Sequence, residues 1–346
     1  MLSFDEVLKN LTAKKRTSSL LMGNGFSMSY DKDIFSYNAL FNFIASKDDA
    51  LINKLFGAIK TKNFELVMQQ LDTTISLLNA FDADDDLKKQ IVNAAEHLKK
   101  GLLDSIQQLH PEHVFKMAEE KSAICAKFLS FFLATGGHIF STNYDLLLYW
   151  VLMRQAVPDA IDGFGRELLN AQELALGKQE AEWSGLVWGP NTDKQNVHYL
   201  HGALHIFDSG KDILKEQYDS AGYILENIKT RLNDGIYPVF VTAGNGDEKL
   251  NHIMHNRYLT HCYEELSKVD GSVVTFGFNF GPYDEHIIEA LNKAAHAQSK
   301  KPPKLWSIYI GVYSQADADH IESIRHKFHC KVQIFDAKTA NVWCEN

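Results

Sequence analysis

Two polar residues at the end of an apolar run are the first candidates for chemistry in this chain. The stretch His138-Ile-Phe-Ser-Thr-Asn-Tyr-Asp145 places an amide, Asn143, two residues before a carboxylate, Asp145. This pattern predicts a parallel strand that ends at the carboxyl edge of an α/β sheet, where such sheets bind ligands. An amide and a carboxylate there can face one crevice. The alternative is that Asp145, Thr142 or Ser141 only caps the helix that follows.

A glycine-containing turn near the start of the chain is the second candidate. Gly23-Asn24-Gly25-Phe26-Ser27 follows the apolar run Ser18–Met22. Glycines at this position let the backbone turn tightly and approach a pyrophosphate, whose charge is stabilised by N–H groups at a helix start. The third glycine of the usual G-x-G-x-x-G pattern is replaced by Met28, so the match is incomplete. A turn that needs glycine only for its conformation is the alternative, and Ser27 or Ser29 is expected to cap the next helix.

His201 is the candidate proton acceptor. In Val197-His-Tyr-Leu-His201-Gly202 it ends a predicted strand, which brings its imidazole to the same sheet edge. Histidine titrates near neutrality and can take a proton from a sugar hydroxyl or from water. A metal site shared with His198 is disfavoured because the two side chains point to opposite faces of a strand. No metal is expected.

A second glycine-containing turn follows the predicted buried strand Ser272–Phe278. Gly277 would allow a ligand to approach the backbone closely. Asn279 could hydrogen-bond a ribose or a phosphate, and Asp284 either caps the helix predicted over residues 285–297 or reaches the site. A simple turn followed by a helix cap is again the alternative.

The elements that must position these residues predict an α/β fold. Strand candidates are separated by helix-sized intervals, which favours a Rossmann-like, doubly wound, mainly parallel sheet. Besides the strands already named, the candidates are Asn196–His201, Pro238–Thr242, Leu305–Val312 and Lys331–Phe335. Apolar residues at spacings of three and four over about residues 38–130 predict a helical insertion, which is too long for an ordinary crossover. Residues 155–195 are expected to be irregular or helical, and residues 1–346 to form a single domain.

The composition of the chain limits the classes of protein to which it can belong. Apolar residues make up 45% and charged residues 23% of the chain, as in globular proteins. The formal net charge is −9 and no run of Lys and Arg stands out, so direct nucleic-acid binding is not expected. The four cysteines are far apart, which argues against a disulfide framework and a tetracysteine zinc site. With neither a signal peptide nor a membrane span in the pattern, a cytoplasmic protein is expected.

Four motifs, taken in order, resemble the sirtuin-like NAD-consuming family. They are Gly23-Asn-Gly-Phe-Ser27, Ser141-Thr-Asn-Tyr-Asp145, Leu200-His-Gly202, and Thr275-Phe-Gly-Phe-Asn279 with Asp284. The family has a GAGxS or GxGxS turn, a TQNxD-type strand end, a catalytic histidine before glycine, and a GxS or GxN turn. The motifs span residues 23–284, whereas residues 38–130 correspond to nothing in the classical deacylases.

The resemblance implies a role for each matched position. Asn143 is expected to orient the nicotinamide ribose and the attacking nucleophile, Asp145 to receive the nicotinamide amide, and His201 to act as general base. Further contacts to NAD are expected from Gly23, Asn24, Gly25, Phe26 and Ser27 at the diphosphate, from Gly277, Phe278 and Asn279 at the adenosine side, and from Thr142 and Asp284.

Departures from the family pattern indicate which branch the chain resembles. Classical deacylases carry a four-cysteine zinc ribbon between the histidine and the last turn, but the interval from Gly202 to Gly277 holds a single cysteine, Cys262. The missing ribbon and the helical insertion resemble bacterial sirtuin-like NAD hydrolases of anti-phage defence. This resemblance implies depletion of NAD under the control of a homo-oligomer or a partner, such as a HerA-like ATPase or an Argonaute-like protein.

Two other functions stay open from the sequence. The first is NAD-dependent protein deacylation or ADP-ribosyl transfer at the same site, although the missing ribbon counts against deacylation. The second is a non-catalytic module that senses NAD or ADP-ribose. The presence of both Asn143 and His201 argues against sensing alone, because binding would not need both.

Overall fold

The computed structural model describes residues 1–35, 49–60, 64–109, 114–176, 180–218, 223–233, 236, 238–241, 245–295 and 304–344. The strands are β1 (Ser18–Met22), β2 (Ile139–Ser141), β3 (Phe164–Gly165), β4 (Leu186–Trp188), β5 (Val197–Tyr199), β6 (Gly202–Asp208), β7 (Ile213–Lys215), β8 (Pro238–Phe240), β9 (Gly271–Phe276), β10 (Leu305–Val312) and β11 (Lys331–Asp336).

The helices are α1 (Phe4–Lys14), α2 (Asn24–Tyr30), α3 (Lys32–Phe35), α4 (Ala50–Ile59), α5 (Phe64–Ala80), α6 (Asp85–Leu109), α7 (Glu119–Ala134), α8 (Leu147–Arg154), α9 (Ala171–Ala175), α10 (Ile224–Asn233), α11 (Gly246–Met254), α12 (Arg257–Leu266), α13 (Glu285–Ala295) and α14 (Gln315–Ile324). Short 3₁₀ turns lie at Val114–Lys116, Thr192–Lys194, Arg325–Lys327 and Ala337–Thr339.

The main sheet has the strand order β11-β10-β9-β1-β2-β5, and all of its neighbouring strands pair in parallel. From β1 the chain moves outward through β2 to β5, and it then returns to the other side of β1 through β9, β10 and β11. The order therefore reverses between β1 and β9, which is the switch point where doubly wound sheets place ligands. This confirms the predicted Rossmann-like α/β fold.

The apolar runs of the sequence form the centre of this sheet. Every residue of β1 and β9 is buried, as expected for strands covered on both faces. Helix α7 contacts β1 and β2, while α12 contacts β5 and α13 contacts β10. These covering helices explain why the strands read as continuous apolar segments rather than as alternating ones.

One row of the sheet register aligns the ends of four strands. Met22 of β1 pairs with Phe276 of β9 and with Ser141 of β2, and Ser141 pairs with Tyr199 of β5. The first residues beyond this row, Gly23, Thr142, Leu200 and Gly277, all belong to the four motifs of the sequence. The register therefore fixes the motifs at one edge of four adjacent strands.

A second, antiparallel sheet was not predicted. Its strand order is β3-β4-β7-β6-β8, so the strand predicted at Pro238–Thr242 belongs to this sheet and not to the parallel one. The segment predicted as irregular or helical over residues 155–195 contributes β3 and β4 as well as α9. Gly202 has a φ of +81° and lies where β5 of the parallel sheet ends and β6 of the antiparallel sheet begins. The predicted strand Asn196–His201 ends at this point, and β6 was not predicted.

Helices account for the described part of the predicted insertion. They are α4, α5, α6 and most of α7, and α5 packs against α6. The predicted helical residues Leu40, Phe43 and Ile44 lie outside the described residues. Within the described ranges, no helix is both long and apolar enough to cross a membrane.

Candidate functional site

Asn143 and His201 occupy equivalent positions on neighbouring strands. Each lies two residues beyond the last paired residue of its strand, Ser141 in β2 and Tyr199 in β5. The Leu200 amide donates to the Ser141 carbonyl at 2.8 Å, so the strands stay together past the formal end of pairing. Both side chains are buried, with 8% of Asn143 and 3% of His201 exposed. The structure thus brings together the predicted amide and the predicted imidazole.

The two glycine-containing turns pack directly against each other. The Gly25 amide donates to the Gly277 carbonyl at 2.9 Å, and the Gly23 amide donates to the Phe276 carbonyl at 3.1 Å. A Cβ added to Gly25 would lie 2.5 Å from the Gly277 Cα, and Gly277 itself has a φ of +64°. Glycine is therefore required here by contact between two turns of the chain.

These contacts use several amides of the first turn. Besides Gly23 and Gly25, the Phe26 amide donates within the turn, to the Gly23 carbonyl at 2.9 Å. An anion at this turn would have to use other groups, and the half-buried Asn24 is one of them. The assignment of this turn to a diphosphate stays a prediction.

A chain of hydrogen bonds joins the first turn to the end of β2. Asn143 donates from Nδ2 to Ser27 Oγ at 2.8 Å, and Ser27 Oγ donates to Asp145 Oδ2 at 2.5 Å. Since Ser27 gives its hydrogen to the carboxylate, it can only accept from Asn143, which fixes the amide with Nδ2 towards Ser27. The prediction that Ser27 or Ser29 caps α2 is wrong: Gly23 holds that position, and Ser29 donates to the Phe26 carbonyl.

Asp145 is held from two sides. Its Oδ1 accepts at 2.9 Å from the amide of Leu147, the first residue of α8, while Oδ2 accepts from Ser27; the cap position of α8 is Leu146. Burial raises the pKa of Asp145, and these two hydrogen bonds act in the opposite direction. Asp145 is thus not the cap residue of α8, although it holds the first amide of that helix, and its role towards nicotinamide stays a prediction.

The predicted base, His201, forms a buried pair with a second histidine, His286. His201 Nε2 lies 2.9 Å from His286 Nε2, and the two rings stack with centroids 5.1 Å apart. Lys249 is buried beside them and forms an ion pair with Asp284 at 3.4 Å. Burial lowers the pKa of both histidines, that of His286 to about 3, and the charge of Lys249 lowers both further.

Sequence reasoning missed two of these residues. His286 stands two residues after the motif residue Asp284, at the start of a predicted helix, so its position offered a usable signal. Lys249 offered none, because a lysine on a polar helix is normally exposed. Only the packing of α11 against α13 shows that Lys249 is buried.

The other predicted residues lie around this edge with different exposures. Thr142 donates from its amide to the Met22 carbonyl at 3.0 Å, which attaches β2 to β1. Phe278 is buried against Phe280 with ring centroids 4.8 Å apart, whereas Asn279 is exposed. Asp284 accepts from the Gly281 amide at 3.2 Å in addition to its ion pair.

A distant aromatic residue fixes the first turn from behind. Trp343 donates from Nε1 to the Phe26 carbonyl at 2.9 Å, and the two rings lie 4.8 Å apart. Trp343 is almost fully buried. The start of α2 is thus held by a residue that the motifs do not contain.

A cavity of about 510 Å³ lies at the opposite edge of the sheet. Its lining includes Gly137 and His138, which precede β2, and His261 and Glu265 of α12. None of the predicted site residues lines it. Within the described ranges, no group of three or more His, Cys, Asp or Glu side chains is arranged to hold a metal ion.

Comparison of the sequence with known families gives one match. The family described as a domain of unknown function, DUF4917, matches residues 20–343, nearly the whole chain. The chain belongs to the DUF4917 family. A comparison with curated proteins finds no match. The DUF4917 match begins within β1 and ends at Trp343, so it covers all four motifs and the aromatic contact behind them.

Proposed function

We propose that this protein is an NAD glycohydrolase, which cleaves NAD to nicotinamide and ADP-ribose. The observation that carries the proposal is the alignment of four motif-bearing strand ends in one row of the sheet, next to the switch point. Ligands of doubly wound sheets bind at such a point. The order of the motifs resembles that of sirtuin-like NAD-consuming proteins, and this resemblance supports NAD as the ligand at this edge of the sheet.

The groups at the edge fit this substrate and its chemistry. NAD offers phosphates, ribose hydroxyls and a carboxamide, and the edge offers the buried amide of Asn143, the buried imidazole of His201, the half-buried Asn24 and the exposed Asn279. Amide and imidazole groups can hydrogen-bond all of these substrate groups. The set contains no strong acid, and the reaction needs none because nicotinamide leaves from a cationic state.

The proposed reaction has a simple balance of bonds. The ribose–nicotinamide bond breaks with its electron pair going to nicotinamide, and a water oxygen bonds to the ribose carbon, which develops positive charge as in glycoside hydrolysis. His201 receives the proton of that water. Asn143, held by Ser27, orients the ribose and the water, and this positioning lowers the entropic part of the barrier.

NAD depletion in anti-phage defence, gated by self-assembly or by a HerA-like or Argonaute-like partner, is the finer proposal. It rests on the resemblance alone. Protein deacylation, ADP-ribosyl transfer and non-catalytic sensing of NAD or ADP-ribose are the competing functions for the same residues.

The test is release of nicotinamide from NAD, measured by chromatography for wild type, Asn143→Ala and His201→Ala. Loss of a positioned general base is worth about 100-fold or more in rate, so His201→Ala should fall by at least that factor. Asn143→Ala should fall as well, because it loses the residue that orients the ribose and the water. Asn196→Ala is the matched control, because Asn196 holds the Ile161 amide at the other end of β5 and lies away from the motifs.

Three outcomes separate the competing functions. Undiminished hydrolysis in both variants would contradict the catalytic assignment. Binding of NAD without release of nicotinamide, in the presence and absence of candidate partners, would favour the sensor. Transfer of ADP-ribose to protein, or removal of an acyl group from an acylated lysine peptide, would favour the other enzymatic functions.

A further inference from the structure

The histidine pair at the candidate site shares a single hydrogen. Two neutral imidazoles in contact through Nε2 on both sides need one N–H donor and one acceptor. Whichever ring donates, the Nε2 atom of His201 is occupied by His286. Proton exchange between His201 and any substrate must therefore pass through its other nitrogen, Nδ1.

The shared hydrogen links the states of the two rings. When His201 donates from Nε2, its Nδ1 carries a free electron pair and can accept a proton. When His286 donates instead, Nδ1 of His201 carries the hydrogen and can only donate. His286 Nδ1 is buried and has no partner within the described residues, so no other hydrogen bond fixes the tautomer of that ring.

The charged neighbours of the pair are Lys249 of α11 and, through the ion pair with it, Asp284 before α13. The positive charge of Lys249 opposes protonation of either ring and lowers the pKa of both. The pair therefore stays neutral at pH values where an exposed histidine would already be charged. A neutral imidazole is the form that accepts a proton.

We propose that His286 is a positioning residue that makes Nδ1 of His201 the proton acceptor, and that Lys249 keeps this acceptor neutral. The proposal rests on the NAD glycohydrolase function. His286 here takes the place of the third group that orients a base in catalytic triads. In the reaction, the O–H bond of the water breaks and its proton bonds to Nδ1 of His201, while the Nε2 hydrogen stays on His201 and is hydrogen-bonded to His286.

The first test compares His286→Gln with His286→Phe in the NAD turnover assay. Glutamine can accept the hydrogen from His201 Nε2 and phenylalanine cannot. We expect His286→Phe to lower kcat about 100-fold with little change in KM, and His286→Gln to restore at least about a tenth of the lost activity. Equal loss in both variants, or no loss in His286→Phe, would overturn the positioning role.

The second test is the pH profile of kcat/KM in Lys249→Met. Removing the positive charge raises the pKa of the base, so the base becomes protonated at a higher pH. As the pH is lowered, activity should therefore begin to fall at a higher pH than in wild type, which moves the acid limb of the profile to higher pH. A merely structural role would lower activity without moving this limb, and an unmoved limb would overturn the role of Lys249. His205→Phe is the matched control, because His205 is buried without a partner for either ring nitrogen in the described part of the chain.

A measurement without substrate separates this proposal from the function on which it rests. The ¹⁵N chemical shifts of the His201 ring nitrogens report which of them carries hydrogen. We expect these shifts to change between wild type and His286→Phe and to change less in His286→Gln. Unchanged shifts in both variants would overturn the pairing, whereas changed shifts with no nicotinamide release would overturn only the NAD glycohydrolase function.

Discussion

Two histidine pairs lie at opposite edges of the same sheet. At the carboxyl edge, His201 contacts His286 through their Nε2 atoms at 2.9 Å. At the amino edge, His138 Nδ1 lies 2.8 Å from His198 Nε2. Burial is the largest influence on all four rings, and it lowers each pKa. The two contact distances are similar, and His138 is half-buried whereas the other three rings are buried.

Their surroundings are different. At the amino edge, His198 Nδ1 has a partner in Gln195, which is itself held by Trp188, and the pair stacks against Phe140. At the carboxyl edge, a buried lysine lies close to the pair and His286 Nδ1 has no partner in the described residues. Both ring nitrogens of His198 have partners, whereas His286 keeps one nitrogen without a partner in the described residues, beside four strand ends. This unused hydrogen-bonding capacity, not the pairing of two histidines, distinguishes the candidate site from the pair at the amino edge.

The strongest test of this comparison removes one ring from each pair. His201→Phe should lower nicotinamide release by about 100-fold or more, because it removes the proposed base. His198→Phe should leave kcat unchanged, since this ring contacts His138, Gln195 and Phe140 and none of the predicted site residues, although it lowers the free energy of unfolding. Turnover of NAD and urea unfolding measure the two effects. A loss of activity in His198→Phe without loss of folded protein would break the comparison.

Two glycines with positive φ, one at each edge of the sheet, allow the edges to be compared by the free energy of unfolding that each loses on substitution by alanine. Gly277 at the carboxyl edge has a φ of +64° and would place a Cβ 2.4 Å from the Phe26 nitrogen, whereas Gly136 at the amino edge has a φ of +74° and no atom within 4 Å. Gly136→Ala should cost about 1 kcal/mol for its backbone conformation alone. Gly277→Ala should cost about 3 kcal/mol because the clash is added. Urea unfolding of both variants measures the difference, and equal losses would show that the two turns do not pack as described.

The smallest effect concerns pH. A histidine with a lowered pKa in the folded state binds its proton mainly in the unfolded state, so stability falls as pH drops below about 6.5. With a folded pKa of about 3, His286 should contribute a loss of about 2 kcal/mol between pH 7 and pH 5. His198 should contribute with the same sign. Unfolding free energies measured at both pH values should show a weaker dependence in His286→Phe and in His198→Phe, and an unchanged slope would contradict the buried neutral state.

The parallel sheet was predictable because its signal is local. Strands buried on both faces need continuous apolar runs, and Ser18–Met22 and Leu305–Val312 were placed with the observed bounds. The antiparallel sheet was missed because four of its five strands are only two or three residues long. Its longest strand, β6, begins at Gly202, directly after the predicted strand Asn196–His201, and was not recognised as a separate strand.

The candidate site was predictable only in part. Asn143 and His201 stand at strand ends, and strand ends can be read from sequence. The hydrogen bond from Ser27 to Asp145 joins residues 118 apart, and the contact between His201 and His286 joins residues 85 apart. Periodicity and capping patterns cannot predict contacts between residues so far apart in the sequence, because these contacts follow from the strand order and the helix packing.

The bond from Trp343 to the Phe26 carbonyl joins residues 317 apart and has a consequence for biosynthesis. A ribosome makes the first turn early, together with Ser27, and makes Trp343 only after all the strands of the central sheet. While Trp343 has not yet emerged from the ribosome, the nascent chain lacks the hydrogen bond that holds the start of α2. The contact that holds the start of α2 from behind therefore forms only after the strands of the central sheet have been synthesised.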